Sequence, residues 1–281
     1  MSFTTNKYDA CIAGIYEHPL RVAPNHTVAQ LHAEVARGAL QDAGLTLDDV
    51  DGYFCAGDAP GMGPVSMADY LGLKKLTYLD STDTGGSSYL THVNHAARAI
   101  ATGQCKVALI TLAGRPKSEG SSGTQVRSQW ASAPDFAFEK PYSPAPLNTY
   151  AMCAMRHMYE FGTTSEQLAW IKVAASHHAQ HNPNARLRQV FTVEDVVNSR
   201  IVADPLHMLD CCVITDGGGG LVVTRPEIAK SLKRPRVKLR GHGETMKVNN
   251  GGMIDMTHSG AAISGPRAFA EAGVKHTDIK Y

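Results

Sequence analysis

Apolar residues at Val28, Leu31, Val35, Ala36, Ala39 and Leu40 recur every three or four positions across residues 27–43, the spacing of a helix with one buried face, and Gly44 stops it. The runs around this helix have a different pattern. Residues 9–15, which contain Gly14, residues 52–56 (Gly-Tyr-Phe-Cys-Ala) and residues 107–113 (Val-Ala-Leu-Ile-Thr-Leu-Ala) are short, continuous and apolar, as buried strands are. Between the last two lie a Gly- and Pro-rich loop at 59–65, a short helix at 66–71, a strand at 76–79 and a helix at 90–102. Strand and helix in this alternation predict a parallel α/β sheet. From 114 to 147 the periodicity disappears, and Gly, Ser, Pro, Trp130, Phe136, Phe138 and Tyr142 take over. A connection of that length inside a folded domain is expected to be a lid or an interface. Helices resume at 149–161, 165–181 and 192–198; Asp216 and the four glycines 217–220 then predict a turn into a strand at 221–224. Consecutive glycines allow very close approach, either of backbone to backbone in a crowded sheet or of backbone to ligand.

The stretch Thr82-Asp-Thr-Gly-Gly-Ser-Ser-Tyr-Leu90 joins the strand at 76–79 to the helix at 90–102. A small, polar, Gly-containing turn there aims backbone N–H groups and a helix N-terminus at its contents, which suits an oxyanion or a thioester carbonyl. An ordinary strand-to-helix turn capped by Ser or Asp reads the same way.

Charge and composition narrow the partners. With 27 basic and 26 acidic residues, a formal charge of +1 and no basic run, the chain has no nucleic-acid surface in prospect. The six cysteines, Cys11, Cys55, Cys105, Cys153, Cys211 and Cys212, show no CxxC spacing, so neither a zinc site nor a disulfide framework is expected. His92 and His95 share a helix at i, i+3 without a third ligand nearby, which leaves metal binding unsupported. The polar N-terminus, residues 1–7, lacks an apolar leader core, and no apolar run is long enough for a bilayer; a cytoplasmic protein without a membrane span is expected.

The chain also repeats itself. Ala39-Leu-Gln-Asp-Ala-Gly-Leu-Thr-Leu-Asp-Asp-Val50 lies in step with Ala268-Phe-Ala-Glu-Ala-Gly-Val-Lys-His-Thr-Asp-Ile279. The strands before them correspond too, with Gly14 lying 29 residues before Ala43 and Gly241 lying 31 before Ala272. Matching spacing as well as matching residues indicates an internal duplication, of which the second copy stops at Tyr281.

Two half-copies of this kind, with a long insertion in the first, resemble the thiolase superfamily, in particular its sterol-carrier-protein-type, lipid-transfer-protein-like branch. The most specific residues are Tyr150-Ala-Met-Cys-Ala-Met-Arg-His-Met-Tyr-Glu-Phe-Gly162, His178-Ala-Gln-His-Asn-Pro-Asn-Ala185, and Ser199 to Cys212 followed by Asp216 and Gly217. The resemblance implies a five-layer α/β fold of duplicated βαβαβ halves. Residues 1–113 and 201–230 would form the N-terminal half, 114–200 an inserted loop domain, and 235–281 the start of a C-terminal half that is incomplete as given. It implies an acyl-thioester enzyme acting on coenzyme A derivatives as a homodimer, with no cofactor beyond the coenzyme A of its substrate. Some relatives of this kind work beside a small OB-fold partner with a zinc ribbon.

The family's attacking cysteine is absent. Gly86 or, after a shift of one residue, Ser87 stands at that position, so Ser87 is the candidate nucleophile, and Gly85, Gly86 and Ser88 are candidate thioester-binding residues. Serine attacks slowly at neutral pH unless a base takes its proton. Asp210 and Cys212, counted back from Asp216, fall where classical members carry Asn and Ser beside the pantetheine arm, and with Gly217 they complete the candidate substrate-binding set. A carbon–carbon lyase of the aldolase kind needs no acyl-enzyme and tolerates the missing cysteine; a non-catalytic acyl-CoA-binding or scaffolding subunit is the competing expectation.

Overall fold

Thr27 opens the first helix: its hydroxyl accepts from Gln30 N at 3.1 Å while the Gln30 side chain accepts from Thr27 N at 2.7 Å, a reciprocal cap that satisfies two otherwise orphaned donors. That helix, in a computed structural model describing residues 10–120, 136–142, 145–247 and 258–280, follows β1 (Cys11–Glu17) and is α1 (Val28–Ala43). Next come β2 (Gly52–Phe54), α2 (Pro64–Leu71), β3 (Tyr78–Asp80), α3 (Ser88–Ala101) and β4 (Val107–Gly114). The remaining elements are α4 (Phe136–Glu139), α5 (Pro146–Phe161), α6 (Ser165–Ala179), α7 (Val193–Val197), the ribbon β5 (Ile201–Ala203) and β6 (Leu206–His207), β7 (Gly217–Thr224), α8 (Pro226–Ser231), β8 (Val237–Lys238) and α9 (Ala261–Ala272). The expectations placed on residues 1–7, Trp130 and Tyr281 fall outside the described residues.

These residues form two compact units, dividing between Arg115 and Pro116 and again between Thr215 and Asp216; His258 groups with the second. The first holds a six-stranded sheet in the order β3-β2-β4-β7-β1-β8. β1 to β4 all run one way, as the alternation of strand and helix predicts. β7 enters between β4 and β1 antiparallel to both, and β8 pairs antiparallel with β1. α1 and α2 cover one face, where Leu40, Ala39, Met67 and Leu71 pack on Tyr53, Leu109 and Val222. α3 covers the other, with Val93, Ala96, Ala97 and Ile100 against Phe54, Ala108, Ile110 and Val223.

The glycine run is strand rather than turn, because β7 begins at Gly217 itself. A Cβ on Gly218 would stand 2.2 Å from the Leu112 carbonyl oxygen, and one on Gly220 would stand 2.4 Å from the Val35 oxygen of α1. At both positions the packing role holds: Gly220 lets β7 lie flush under α1, and Gly218 leaves room for Leu112 and Ala113 of the neighbouring β4.

The internal duplication is visible in the backbone. A Cβ on Gly14 would meet Ala39 O at 2.2 Å and the Ala43 Cβ at 2.8 Å; a Cβ on Gly241 would meet Ala268 O at 2.2 Å and the Ala272 Cβ at 2.9 Å. Asp42 accepts from Ile15 N at 2.9 Å, and Glu271, its counterpart, accepts from His242 N at 2.9 Å. Gly44 and Gly273 close the two helices at φ of +73° and +67°, and Asp49 and Asp278 cap the turns that follow through Thr46 N and Lys275 N, each at 2.8 Å. Gly241, Glu271, Gly273 and Asp278 therefore repeat the packing and capping contacts of Gly14, Asp42, Gly44 and Asp49.

In the second unit, Thr164 and Thr192 cap α6 and α7 by the same reciprocal device as Thr27. Ser176 accepts from Phe191 N at 3.1 Å and ties the end of α6 to the segment leading into α7.

Candidate active site

Asp80, the last residue of β3, anchors the turn before α3. Its carboxylate accepts from Thr82 N at 2.7 Å and Thr82 Oγ1 at 2.8 Å, and its other oxygen meets His95 Nδ1 at 2.7 Å. Burial pushes the Asp80 pKa up, but these donors outweigh it and hold the group below the usual carboxylate range. His92, fully buried, pairs through Nε2 with the Thr82 carbonyl at 2.8 Å, and burial depresses its pKa, which favours the neutral imidazole. The two histidines thus brace the turn through separate partners. Among the described residues no group of three His, Cys, Asp or Glu side chains is placed to hold a metal ion.

Asp83 then folds the turn on itself. Its carboxylate accepts from Gly85 N at 2.8 Å and, across to the loop after β2, from Gly57 N at 3.1 Å, and it lies 3.4 Å from Ser88 Oγ. Ser88, buried, donates to Gly85 O at 2.6 Å and accepts from Thr84 N at 2.8 Å. Gly85 takes a φ of +71°, open to glycine and costly for a side chain. A Cβ on Gly86 would meet nothing within 4 Å. Ser87 is the exposed N-cap residue of α3; its hydroxyl donates to Thr84 O at 3.1 Å and lies 3.2 Å from Thr84 Oγ1. Neither neighbour is a base, so nothing bonded to the Ser87 hydroxyl in this arrangement would draw off its proton.

Gly85, Gly86, Ser87 and Ser88 are therefore gathered at the N-terminus of α3. Gly217 belongs to the same unit but sits at the start of β7 with a φ of +131°, where a Cβ would stand 2.9 Å from Leu20 O. Asp210 and Cys212 lie in the second unit. Asp210 caps a helical turn by accepting from His207 N at 2.7 Å, and its carboxylate lies 3.3 Å from His207 Nδ1. Cys212 is exposed, whereas burial, followed by Asp210 and Cys212, raises the pKa of its neighbour Cys211.

A polar cluster beneath the turn has no counterpart in the sequence pattern. Tyr89, the second residue of α3, donates its hydroxyl to Asp58, which follows β2. The other Asp58 oxygen accepts from Ala113 N at 2.9 Å and lies 3.2 Å from Nε2 of the fully buried His32. His32 Nδ1 in turn lies 2.9 Å from Thr111 Oγ1, which is 2.8 Å from the Tyr53 hydroxyl. Burial raises the Asp58 pKa, but hydrogen bonds from His32, Tyr89 and Ala113 overcome this and keep it low; the phenol of Tyr89 is pushed well above its ordinary value by burial and then by Asp58. The thiol of Cys55, also buried there, is pushed up to about 12 by burial, so this cysteine does not supply the thiolate missing from the turn. The available signal was an aspartate at the carboxyl end of a buried strand, where α/β sheets collect functional groups.

No protein-family model matches the chain. It is 31% identical to the "Steroid side-chain-cleaving aldolase" of Thermomonospora curvata, over 96% of this chain and 72% of the relative. It is 30% identical to the "17-hydroxy-3-oxo-4-pregnene-20-carboxyl-CoA lyase" of Mycobacterium tuberculosis, over 96% of this chain and 73% of that one. Among solved structures, the "Ltp2-ChsH2(DUF35) aldolase" superposes with a TM-score of 0.82 at 30% identity, covering 97% of this chain and 72% of the other. The duplicated half-copies, the braced turn before α3 and these likenesses agree: the chain belongs to the sterol-carrier-protein-type, thiolase-like family.

Proposed function

We propose that this protein is the thiolase-like subunit of a carbon–carbon lyase that cleaves a β-hydroxyacyl-coenzyme A by retro-aldol chemistry. In that reaction a base takes the proton of the β-hydroxyl, the Cα–Cβ bond breaks, and Cβ becomes a ketone or aldehyde. The bonding pair passes to the thioester enolate, which is then protonated at Cα to give a shorter acyl-CoA. The donors at the N-terminus of α3 would stabilise the enolate oxygen, the position at which negative charge develops.

The observation that carries this reading is the turn at residues 84–88. It keeps the helix N-terminus, but Ser87 donates to a carbonyl and the buried thiol of Cys55 is held protonated. An acyl-enzyme route would need an activated nucleophile there; retro-aldol cleavage needs none. Two relatives named as an aldolase and a CoA lyase support the reaction class. The same observation favours a second reading, a non-catalytic acyl-CoA-binding subunit.

We assign the partners in the same spirit. The solved aldolase described as Ltp2-ChsH2(DUF35) supports a second, DUF35-type partner subunit for this chain as well, which we take to be the small OB-fold, zinc-ribbon kind. The edge position of β3 supports a homodimer, because an uncovered strand edge invites pairing with another chain. Incubation with β-hydroxyacyl-CoA, with and without the candidate partner, tests the reaction. Release of a ketone and a shortened acyl-CoA supports the lyase; binding without turnover in either condition supports the second reading.

A further inference from the structure

Residues 84–88 contain two adjacent glycines, one at a φ of +71° and both with open space where a Cβ would stand, so their own backbone leaves open where their N–H groups point. The bonds among them, from Thr84 N to Ser88 Oγ and from Ser88 Oγ to Gly85 O, close the turn on itself without aiming it. Two consecutive residues of the loop after β2 hold its two ends. Gly57 N donates to Asp83, just before the turn, and Asp58 accepts from the hydroxyl of Tyr89, just after it. A Cβ on Gly57 would stand 2.3 Å from Asp83 Oδ2, so the glycine serves this close approach. Asp58 is itself fixed, because its other oxygen accepts from Ala113 N of β4 at 2.9 Å and lies 3.2 Å from Nε2 of His32, fully buried on α1. These donors keep it ionised, so it meets Tyr89 as an acceptor only. All of these groups belong to the first unit.

We propose that Gly57 and Asp58 are positioning residues for the reaction: through Asp83 and Tyr89 they clamp both ends of residues 84–88 and so aim the N–H donors at the start of α3 toward the thioester oxygen. The inference rests on the retro-aldol reading above and deepens it. Neither residue has to touch the substrate. Donors fixed in advance stabilise a developing oxyanion without reorganising as the reaction proceeds. A catalytic group displaced by about 1 Å loses on the order of 100-fold in rate, so a turn built on two glycines gains most from tethers outside itself. The tethers also divide the work. Asp80 and the two histidines hold the strand side of the turn, whereas the Tyr89–Asp58 bond fixes the first residues of α3 against β4 and α1.

Two measurements on the whole chain with its candidate partner test the proposal: steady-state turnover of a β-hydroxyacyl-CoA, and isotope-edited infrared spectra of bound, carbonyl-labelled acetyl-CoA. Tyr89→Phe cuts one tether, and Asp58→Asn turns one acceptor of the clamp into a donor. Asp51→Asn is the comparison: it alters a carboxylate that accepts from Lys106 N and Val107 N, each at 2.8 Å, at the opposite ends of β2 and β4. In the parent the bound carbonyl should stretch at a lower frequency than in water, as a carbonyl accepting strong hydrogen bonds does. Tyr89→Phe and Asp58→Asn should each lower kcat roughly 10- to 100-fold with KM within about threefold, and return the stretch toward its value in water. Asp51→Asn should leave the stretch in place and kcat within about twofold. The double variant should lose no more than the worse single one, because both act through one contact. Unchanged kcat and stretch in Tyr89→Phe would overturn the clamp, whether or not Asp58→Asn folds. Equal losses in all three variants would overturn it too, by making the contacts structural only. If the parent lowers the stretch without turnover, the lyase reading fails while the infrared shifts still decide the clamp; if it does neither, both fall.

Discussion

Tyr89→Phe removes one hydroxyl and nothing else from the cluster beneath the turn, so its cost can be worked from the structure. The hydroxyl donates to Asp58, whose side chain is 22% exposed and whose other contacts are Ala113 N and His32. A hydrogen bond to a charged group contributes about 1.5–3 kcal/mol, and leaving a part-buried carboxylate short of a donor incurs part of its desolvation. Partial exposure lets water replace part of the loss, so about 1–2 kcal/mol is expected at neutral pH. The sign of the pH dependence follows from Asp58. Its folded-state pKa lies below the ordinary value, so its contribution is fully present above the unfolded pKa of about 3.9 and is lost as the pH falls through the folded pKa. Removing a donor raises that folded pKa; the gap between parent and variant should therefore be widest near pH 7 and narrow through the carboxylate range. Urea unfolding of both proteins at pH 7, 5 and 4 measures it. A gap below about 0.5 kcal/mol at pH 7, the scatter expected for an inert surface change, would refute the reasoning; so would a gap that does not vary with pH.

Three further outcomes follow from the same contacts. Gly14→Ala and Gly241→Ala each drive a Cβ to 2.2 Å from a helix carbonyl, backbone against backbone. Each should destabilise by about 1–3 kcal/mol in thermal melts, and an unchanged melt for either would remove its copy of the repeat from the account. Gly86→Cys places a Cβ in open space, so the melting temperature should hold while iodoacetamide labels the new thiol faster than the buried Cys11, Cys55 or Cys105; slower labelling would mean that the position is closed. Ser87→Ala should retain turnover within about twofold, because its hydroxyl is bonded to Thr84 and no base, whereas a loss of about 100-fold or more would restore Ser87 as a working nucleophile.

Most of the first unit was legible because its signals are local. The 27–43 periodicity gave α1 with its stop at Gly44, and the match between residues 39–50 and 268–279 carried over into paired contacts at Gly14 and Gly241. The insertion of β7 between β4 and β1 was not legible, since strand order depends on partners more than 100 residues away, such as Val107 with Thr224. The glycine run pointed to a turn because glycine usually marks one; here close packing under α1 overrides that preference. At the candidate site the turn could be read but its support could not. Asp58, His32, Thr111 and Tyr89 come from four separated segments, and His32 lies on the buried face of α1, where the apolar pattern gives no hint of an imidazole bonded to Thr111.

The central claim, cleavage without an acyl-enzyme at the turn before α3, is tested most directly by one measurement. The protein, with its candidate partner present, is turned over on a β-hydroxyacyl-CoA, and the small-molecule products and the intact protein are weighed by mass spectrometry in the same quenched samples. A ketone and a shortened acyl-CoA, with the protein at its unmodified mass throughout, is the predicted result. An acyl increment on the protein that forms and decays with turnover, on Ser87 or elsewhere, would contradict the account, as would full binding of the substrate with no cleavage.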